Sequence, residues 1–125
     1  MDRQSRVYKV AQYLRMRGYE VVDLDAMPFN YGITRIDAIL YDRLADAMVA
    51  VKVYGDNSRR DNIMSEWKHR DEPYYKRAIK RWCEKQRWNG WYRKAWRRAD
   101  MVIVRSDGAI DHVVGSPTEI KRRSR

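Results

Sequence analysis

The chain predicts an α/β (α+β) domain on a central mixed sheet of about five strands flanked by helices. Three patterns carry that expectation. Apolar residues recur with helical period near the start; three runs of strand character follow; helical periodicity then returns before a final hairpin. The 125 residues are enough for one domain with a real core.

Val7, Val10, Ala11 and Leu14 fall at i, i+3, i+4 and i+7, which predicts an amphipathic helix over residues 3–17, stopped by Gly18. Tyr19 to Leu24 reads as the first strand, with Val21, Val22 and Leu24 as its apolar content. Met27-Pro28-Phe29-Asn30-Tyr31-Gly32 is rich in turn formers and reads as a connection. Residues 33–41 and 47–54 give a second and a third strand, and Asp42-Arg43-Leu44-Ala45-Asp46 is short enough to close a hairpin. Past Gly55-Asp56-Asn57-Ser58 the period changes. Residues 59–70 are expected to be helical, and Pro73 to open a second helix, because proline is tolerated in a first turn. Asn89-Gly90 breaks the pattern before a shorter helix at 91–98. Met101 to Arg105 and Ala109 to Val114 form a terminal hairpin about Ser106-Asp107-Gly108, where Asp-Gly is a strong turn signal. The domain is expected over residues 1–116, with 117–125 as a basic, flexible tail.

No run approaches the roughly 18 apolar residues of a membrane span, and the charged start carries no signal-peptide pattern. A cytoplasmic protein is expected, in a cell or in the cytoplasm of a viral host, with no membrane partner. The single cysteine, Cys83, excludes an internal disulfide and a cysteine-based zinc cluster; it reads as a small apolar filler. Charge is segregated. Residues 1–57 hold 8 Lys/Arg against 8 Asp/Glu, and residues 58–125 hold 19 against 9, so the whole excess of +10 lies in the second half. Solubility does not require such clustering, whereas phosphate neutralisation on a polyanion does.

Two charged residues occupy unusual places. Asp37 is the lone acid within Ile36-Asp37-Ala38-Ile39-Leu40, and Lys52 is embedded in Met48-Val49-Ala50-Val51-Lys52-Val53-Tyr54. Alternation sends Val49, Val51 and Val53 to one face of the third strand, and Met48, Ala50, Lys52 and Tyr54 to the other. A lysine there must snorkel, pair with a carboxylate or serve a ligand. A structural Asp37–Lys52 ion pair is one reading. The other is phosphodiester hydrolysis, which needs hard cations held by oxygen ligands and a positive group near the attacking water.

On these residues the chain resembles the PD-(D/E)xK, or restriction-endonuclease-like, nuclease superfamily. The order of elements over residues 3–114 agrees, and small Holliday-junction-resolvase-like and repair-nuclease-like members are similar in size and final hairpin. The resemblance implies a magnesium- or manganese-dependent DNA endonuclease (Mg2+ or Mn2+ as cofactor) in which Asp37 is a metal ligand and Lys52 a catalytic lysine. The backbone carbonyl of Val51 would be a further metal ligand. The departure is Ala50, where the family places Glu or Asp. Three explanations fit: the acid has migrated to the following helix, a Glu→Ala change has been introduced deliberately, or catalysis has been lost while binding persists. Glu66, 14 residues after Lys52, is the candidate migrated acid and metal ligand, and Asp61 is a second option. A solvated Glu66 paired with Arg70 at i+4 is the plain alternative. His69 and His112 lack partners at metal-ligand spacing. Asp23 and Asp25 are explained by alternation and turn capping.

Between Tyr74 and Arg98 lie four of the five tryptophans and ten basic residues. Ile79, Trp82 and Tyr75 fit an apolar helical stripe facing the core. Lys76, Arg77, Lys80, Arg81, Lys85, Arg87, Arg93, Lys94, Arg97 and Arg98 are candidate phosphate contacts, with Trp88 and Trp91 as stacking groups. The sequence therefore reads as a metal-dependent endonuclease on double-stranded or branched DNA. The alternatives are a non-catalytic DNA-binding protein with the same fold and, more remotely, an RNA-binding protein. A homodimer would suit a two-stranded substrate.

Overall fold

The computed structural model describes residues 2–26, 36–55, 60–86 and 90–118. The expected connection at 27–32, the start of the second strand at 33–35, the link at 56–59, Arg87, Trp88 and Asn89, and the tail beyond Thr118 lie outside them. Helix α1 spans Arg3–Arg15, capped by the Asp2 carboxylate, which accepts a hydrogen bond from the Ser5 amide at 2.7 Å. Its buried residues are the expected Val7, Val10, Ala11 and Leu14. Gly18, at φ 90°, turns the chain into β1, Tyr19–Ala26, in a backbone region that costs glycine nothing. Strands β2 (Ile36–Asp42) and β3 (Ala47–Gly55) follow as an antiparallel hairpin.

Next comes an unbroken helical run: α2 (Arg60–Glu66), a π-helical segment (Trp67–Asp71) and α3 (Glu72–Glu84). Two separate helices were expected here, and the proline explains the difference. Pro73 has no N–H to bond the carbonyl four residues earlier, and its ring crowds that carbonyl. The chain widens locally instead of breaking: the Glu72 amide donates to the Trp67 carbonyl, an i→i−5 bond. A short α4, Gly90–Lys94, precedes β4, Trp96–Val104. The expected helix at 91–98 is corrected for Trp96–Arg98, which pair in register with Ala47–Val49 of β3 and are strand. Local periodicity yields there to tertiary pairing. β5, Ile110–Val113, closes the expected hairpin.

The sheet is five-stranded and mixed, in the order β1-β2-β3-β4-β5; β3 and β4 are parallel and all other pairs antiparallel. A parallel pair needs a long crossover, which the helical run supplies. Helices cover both faces. Val7, Val10 and Leu14 of α1 pack on Val49, Val51 and Val53, while Ile63, Trp67, Tyr75, Ile79 and Trp82 pack on Met48, Ala50 and Tyr54. No helix among the described residues is long and apolar enough to cross a membrane.

The layer beneath α1 also holds an ionic network. Arg98 donates to both oxygens of Asp100 at 2.8 and 3.1 Å, to Asp42 at 2.9 Å and to the Tyr19 hydroxyl at 3.0 Å. Asp100 also contacts His112 Nε2 at 2.8 Å and accepts from the Gly115 amide at 2.9 Å. Burial favours the neutral acid, but the bonds from His112 and Arg98 outweigh it and hold the Asp100 carboxyl below its ordinary 3.8. Gly115 is required for this approach, since a Cβ there would stand 2.1 Å from the Ala99 carbonyl oxygen.

Removing Arg98 strands two buried carboxylates, so Arg98→Ala should cost about 3–5 kcal/mol of unfolding free energy in urea. Because the folded-state value of Asp100 is depressed, its contribution is complete above pH 3.8 and is lost as pH falls below that. The stability gap between the wild-type chain and Asp100→Asn should therefore narrow only in acid.

Candidate functional site

Strand β3 ends in Lys52-Val53-Tyr54-Gly55, and the residues singled out in the sequence meet around that end. The β2–β3 ladder stops at Ala38↔Val51, one position before Asp37 would face Lys52. Beyond that point Asp37 leaves the sheet's alternation: Ile36 and Ile39 lie in the same core layer, although strict alternation would separate them. The Asp37 side chain takes over the hydrogen bonding of the lost pair. Its Oδ2 accepts from the Val53 amide at 2.8 Å, and its Oδ1 accepts from Arg3 of α1. Only 1% of Asp37 is exposed. Its ion-pair partner is thus Arg3, and the alternative Asp37–Lys52 pair is replaced by this one. The half-buried Lys52 places its ammonium 5.6 Å from the centre of the Tyr54 ring.

A second carboxylate reaches this end of the sheet, and it is Asp71. The Tyr54 hydroxyl donates to Asp71 Oδ2, and Arg70 Nε donates to Oδ1 at 3.0 Å. Burial and the bond to Asp71 push the Tyr54 hydroxyl far up. For Asp71, burial works against the charged form, but Arg70, Tyr54 and the nearby Lys52 outweigh it and lower the carboxyl. The fully buried Tyr75 is pushed up by burial first, then by the charges of Asp37 and Asp71, so its hydroxyl lies within the field of both acids. Asp71 was not singled out in the sequence. The available signal was Pro73: a proline inside a helical pattern marks a shift in winding, and the π turn ends at Asp71.

The other expected site residues are arranged differently. Ala50 is fully buried between Ile39 on β2 and Ala99 on β4, in the apolar layer of Met48, Ile63, Trp67 and Tyr75. The position where an acid was expected is core. Glu66 points to solvent, its side chain 51% exposed, and pairs with Arg70 at 3.3 Å. Val51 is in register with Ala38 on one side and Asp100 on the other, which sets its backbone within the paired part of the sheet. Among the described residues no group of three or more His, Cys, Asp or Glu side chains could hold a metal ion. The described donor set does not fit a magnesium site: both Asp37 oxygens are engaged internally, and Glu66 faces outward. The side chains of Asp25, Asp61 and Trp91 are outside the described set.

Among the expected phosphate contacts, Arg77, Lys80 and Arg81 are exposed on α3, Lys85 is exposed at its C-terminal cap, half-buried Lys76 pairs with Glu72 at 3.3 Å, and Arg93 and Lys94 are exposed on α4. Tyr75, Ile79 and Trp82 face the core as expected. Arg98 is a correction, because its guanidinium is consumed by the network beneath α1. Arg97 is likewise only 8% exposed, with its Nη2 3.4 Å from the Arg93 carbonyl. His112 is satisfied by Asp100, and His69 is exposed on the π turn.

Asp37→Ala strands the Val53 amide and a part-buried guanidinium, so it should lower the unfolding free energy by about 3 kcal/mol. An acid whose role is confined to metal binding would leave stability unchanged or raised on removal. Ala50→Glu buries a carboxylate among apolar side chains and should cost about 3 kcal/mol or more at neutral pH. That penalty should shrink in acid, where the neutral form tolerated by the core predominates.

No protein-family model matches the chain, and no curated protein matches it. The functional reading therefore rests on the arrangement of its own residues.

Proposed function

We propose that this chain is a DNA-binding domain on a restriction-endonuclease-like frame, which engages duplex or branched DNA through the outer surface of α3 and α4 and does not itself cleave it. The observation that carries the reading is the division of α3. One side buries Tyr75, Ala78, Ile79, Trp82 and Cys83, while the other presents Arg77, Lys80 and Arg81, with Lys85 exposed at the C-terminal cap. Arg77, Arg81 and Lys85 follow one another at four-residue steps, a stripe about 12 Å long. Each strand of duplex DNA advances about 3.4 Å per phosphate, so the stripe spans roughly three to four of them. Like charges at i, i+4 destabilise an isolated helix slightly. A polyanion turns that repulsion into attraction. A cytoplasmic setting suits this role.

Three placements already described support the reading without cleavage: the apolar surroundings of Ala50, the internal bonds of Asp37 and the outward Glu66. One observation favours the rival reading, a magnesium-dependent endonuclease. Continuing the β2–β3 register by one step would set Asp37 opposite Lys52. Cleavage would require Asp37 to exchange Arg3 and the Val53 amide for a cation.

DNA affinity should fall steeply with salt, and each of Arg77→Gln and Lys85→Gln should reduce the slope of log K against log salt by about 0.9 for duplex DNA. Salt-insensitive binding would remove the phosphate contacts from the account. In the same preparations, supercoiled plasmid and branched DNA should stay uncut with magnesium or manganese. Nicking that disappears in a folded Asp37→Asn variant would establish the endonuclease instead.

A further inference from the structure

A surface hollow lined by Tyr74, Arg77, Ala78 and Arg81 lies along the flank of α3, where its basic side meets the core side. We infer that this hollow seats a phosphate of an unpaired nucleotide, with the adjoining base lying on the Tyr74 ring. The inference rests on the DNA-binding reading and deepens it by naming a strand form and a seat.

The hollow is built from about two turns of helix. Arg77 and Arg81 stand four residues apart, about 6 Å along the axis, and both line the hollow. Ala78 forms the floor, and because its side chain is a single methyl the hollow has depth. A guanidinium presents its donors in a planar fork that matches two phosphate oxygens, which suits arginine to this task better than lysine. The two flanking positions are both arginine.

Tyr74 makes the hollow more than a charge pair. It packs against the core layer beneath α3, and its ring is tilted against that of Tyr75 with centroids 6.2 Å apart. It is half-buried, so the ring is held in place before any ligand arrives. A fixed aromatic ring beside arginines fits an unstacked base next to its own phosphate. A continuous duplex presents phosphates to the arginines but keeps its bases stacked inside, and leaves Tyr74 without a partner. The ring therefore distinguishes the two forms.

The test is fluorescence anisotropy with a labelled oligothymidylate and a duplex of equal length, using folded variants checked by thermal unfolding. Tyr74→Leu should weaken single-strand binding about tenfold, the worth of one base–aromatic stack, and leave duplex binding unchanged. Tyr74→Phe should behave as wild type on both. The double variant Arg77→Gln, Arg81→Gln should weaken both and cut the single-strand salt slope by about 1.4. Photo-cross-linking of a bromodeoxyuridine oligonucleotide to the unaltered chain should attach at Tyr74, and needs no variant. The seat is overturned if Tyr74→Leu leaves single-strand binding intact, if it weakens both forms equally, or if cross-links form only elsewhere. Salt-steep binding in those cases keeps the surface reading alone. A wild-type chain that binds neither form removes both.

Discussion

Strand β3 is paired on both edges and covered on both faces, and most of the molecule follows from that double burial. A backbone in that position satisfies its hydrogen bonds along two ladders, so its side chains are free to be apolar throughout, and Ala47 to Val51 are all buried. Its parallel partner β4 cannot be reached by a tight turn, which forces the chain through α2, the π turn and α3 across one face. The same burial fixes Ala50 as core: its neighbours are side chains, with no solvent to hydrate a carboxylate. Polar groups on β3 are confined to its far end, where Lys52 and Tyr54 emerge beside Asp71.

The buried charges are placed where the sheet runs out of backbone partners or where a strand must admit a polar side chain. Asp37 sits where the β2–β3 ladder ends and accepts the Val53 amide that β2 no longer serves. Arg98 and Asp100 lie on β4 opposite Val49 and Val51, and bind one another, Asp42, Tyr19 and His112 beneath α1. Each network ties elements far apart in sequence: Arg3 to Asp37 joins α1 to β2, and Arg98 to Asp42 joins β4 to β2. Arg98 is spent on these internal bonds and lost to the surface, whereas Arg77 and Arg81 are exposed on α3. The large positive charge thus divides into a buried, structural part and an exposed part.

How much of this was legible depended on the range of the interaction. The helix from Arg3, the three strands and the Asp107-Gly108 turn have periods or dipeptides read within a few residues, and those elements formed where expected. Trp96 to Arg98 looked helical because only their neighbours were visible; pairing with Ala47 to Val49, some fifty residues earlier, made them strand. The oddity of Asp37 inside an apolar run was plain, but Arg3, its partner 34 positions away, was not. The same holds for Asp42 and Arg98, 56 positions apart. Asp71 stayed hidden because it falls between the two expected helices, where the chain instead continues as a π turn that ends on it. Glu66 and Arg70, by contrast, are an i, i+4 pair and could be seen in the sequence as such.

The sheet end around Asp37 is closed by its own hydrogen bonds, and we propose that DNA is held elsewhere, on α3 and α4. Paramagnetic manganese tests this directly when added in small steps to isotopically labelled protein observed by amide NMR. The account predicts no selective broadening at Lys52 or Val53, whose amide remains bonded to Asp37. Selective loss of those two signals at substoichiometric manganese, abolished by Asp37→Asn, would contradict it.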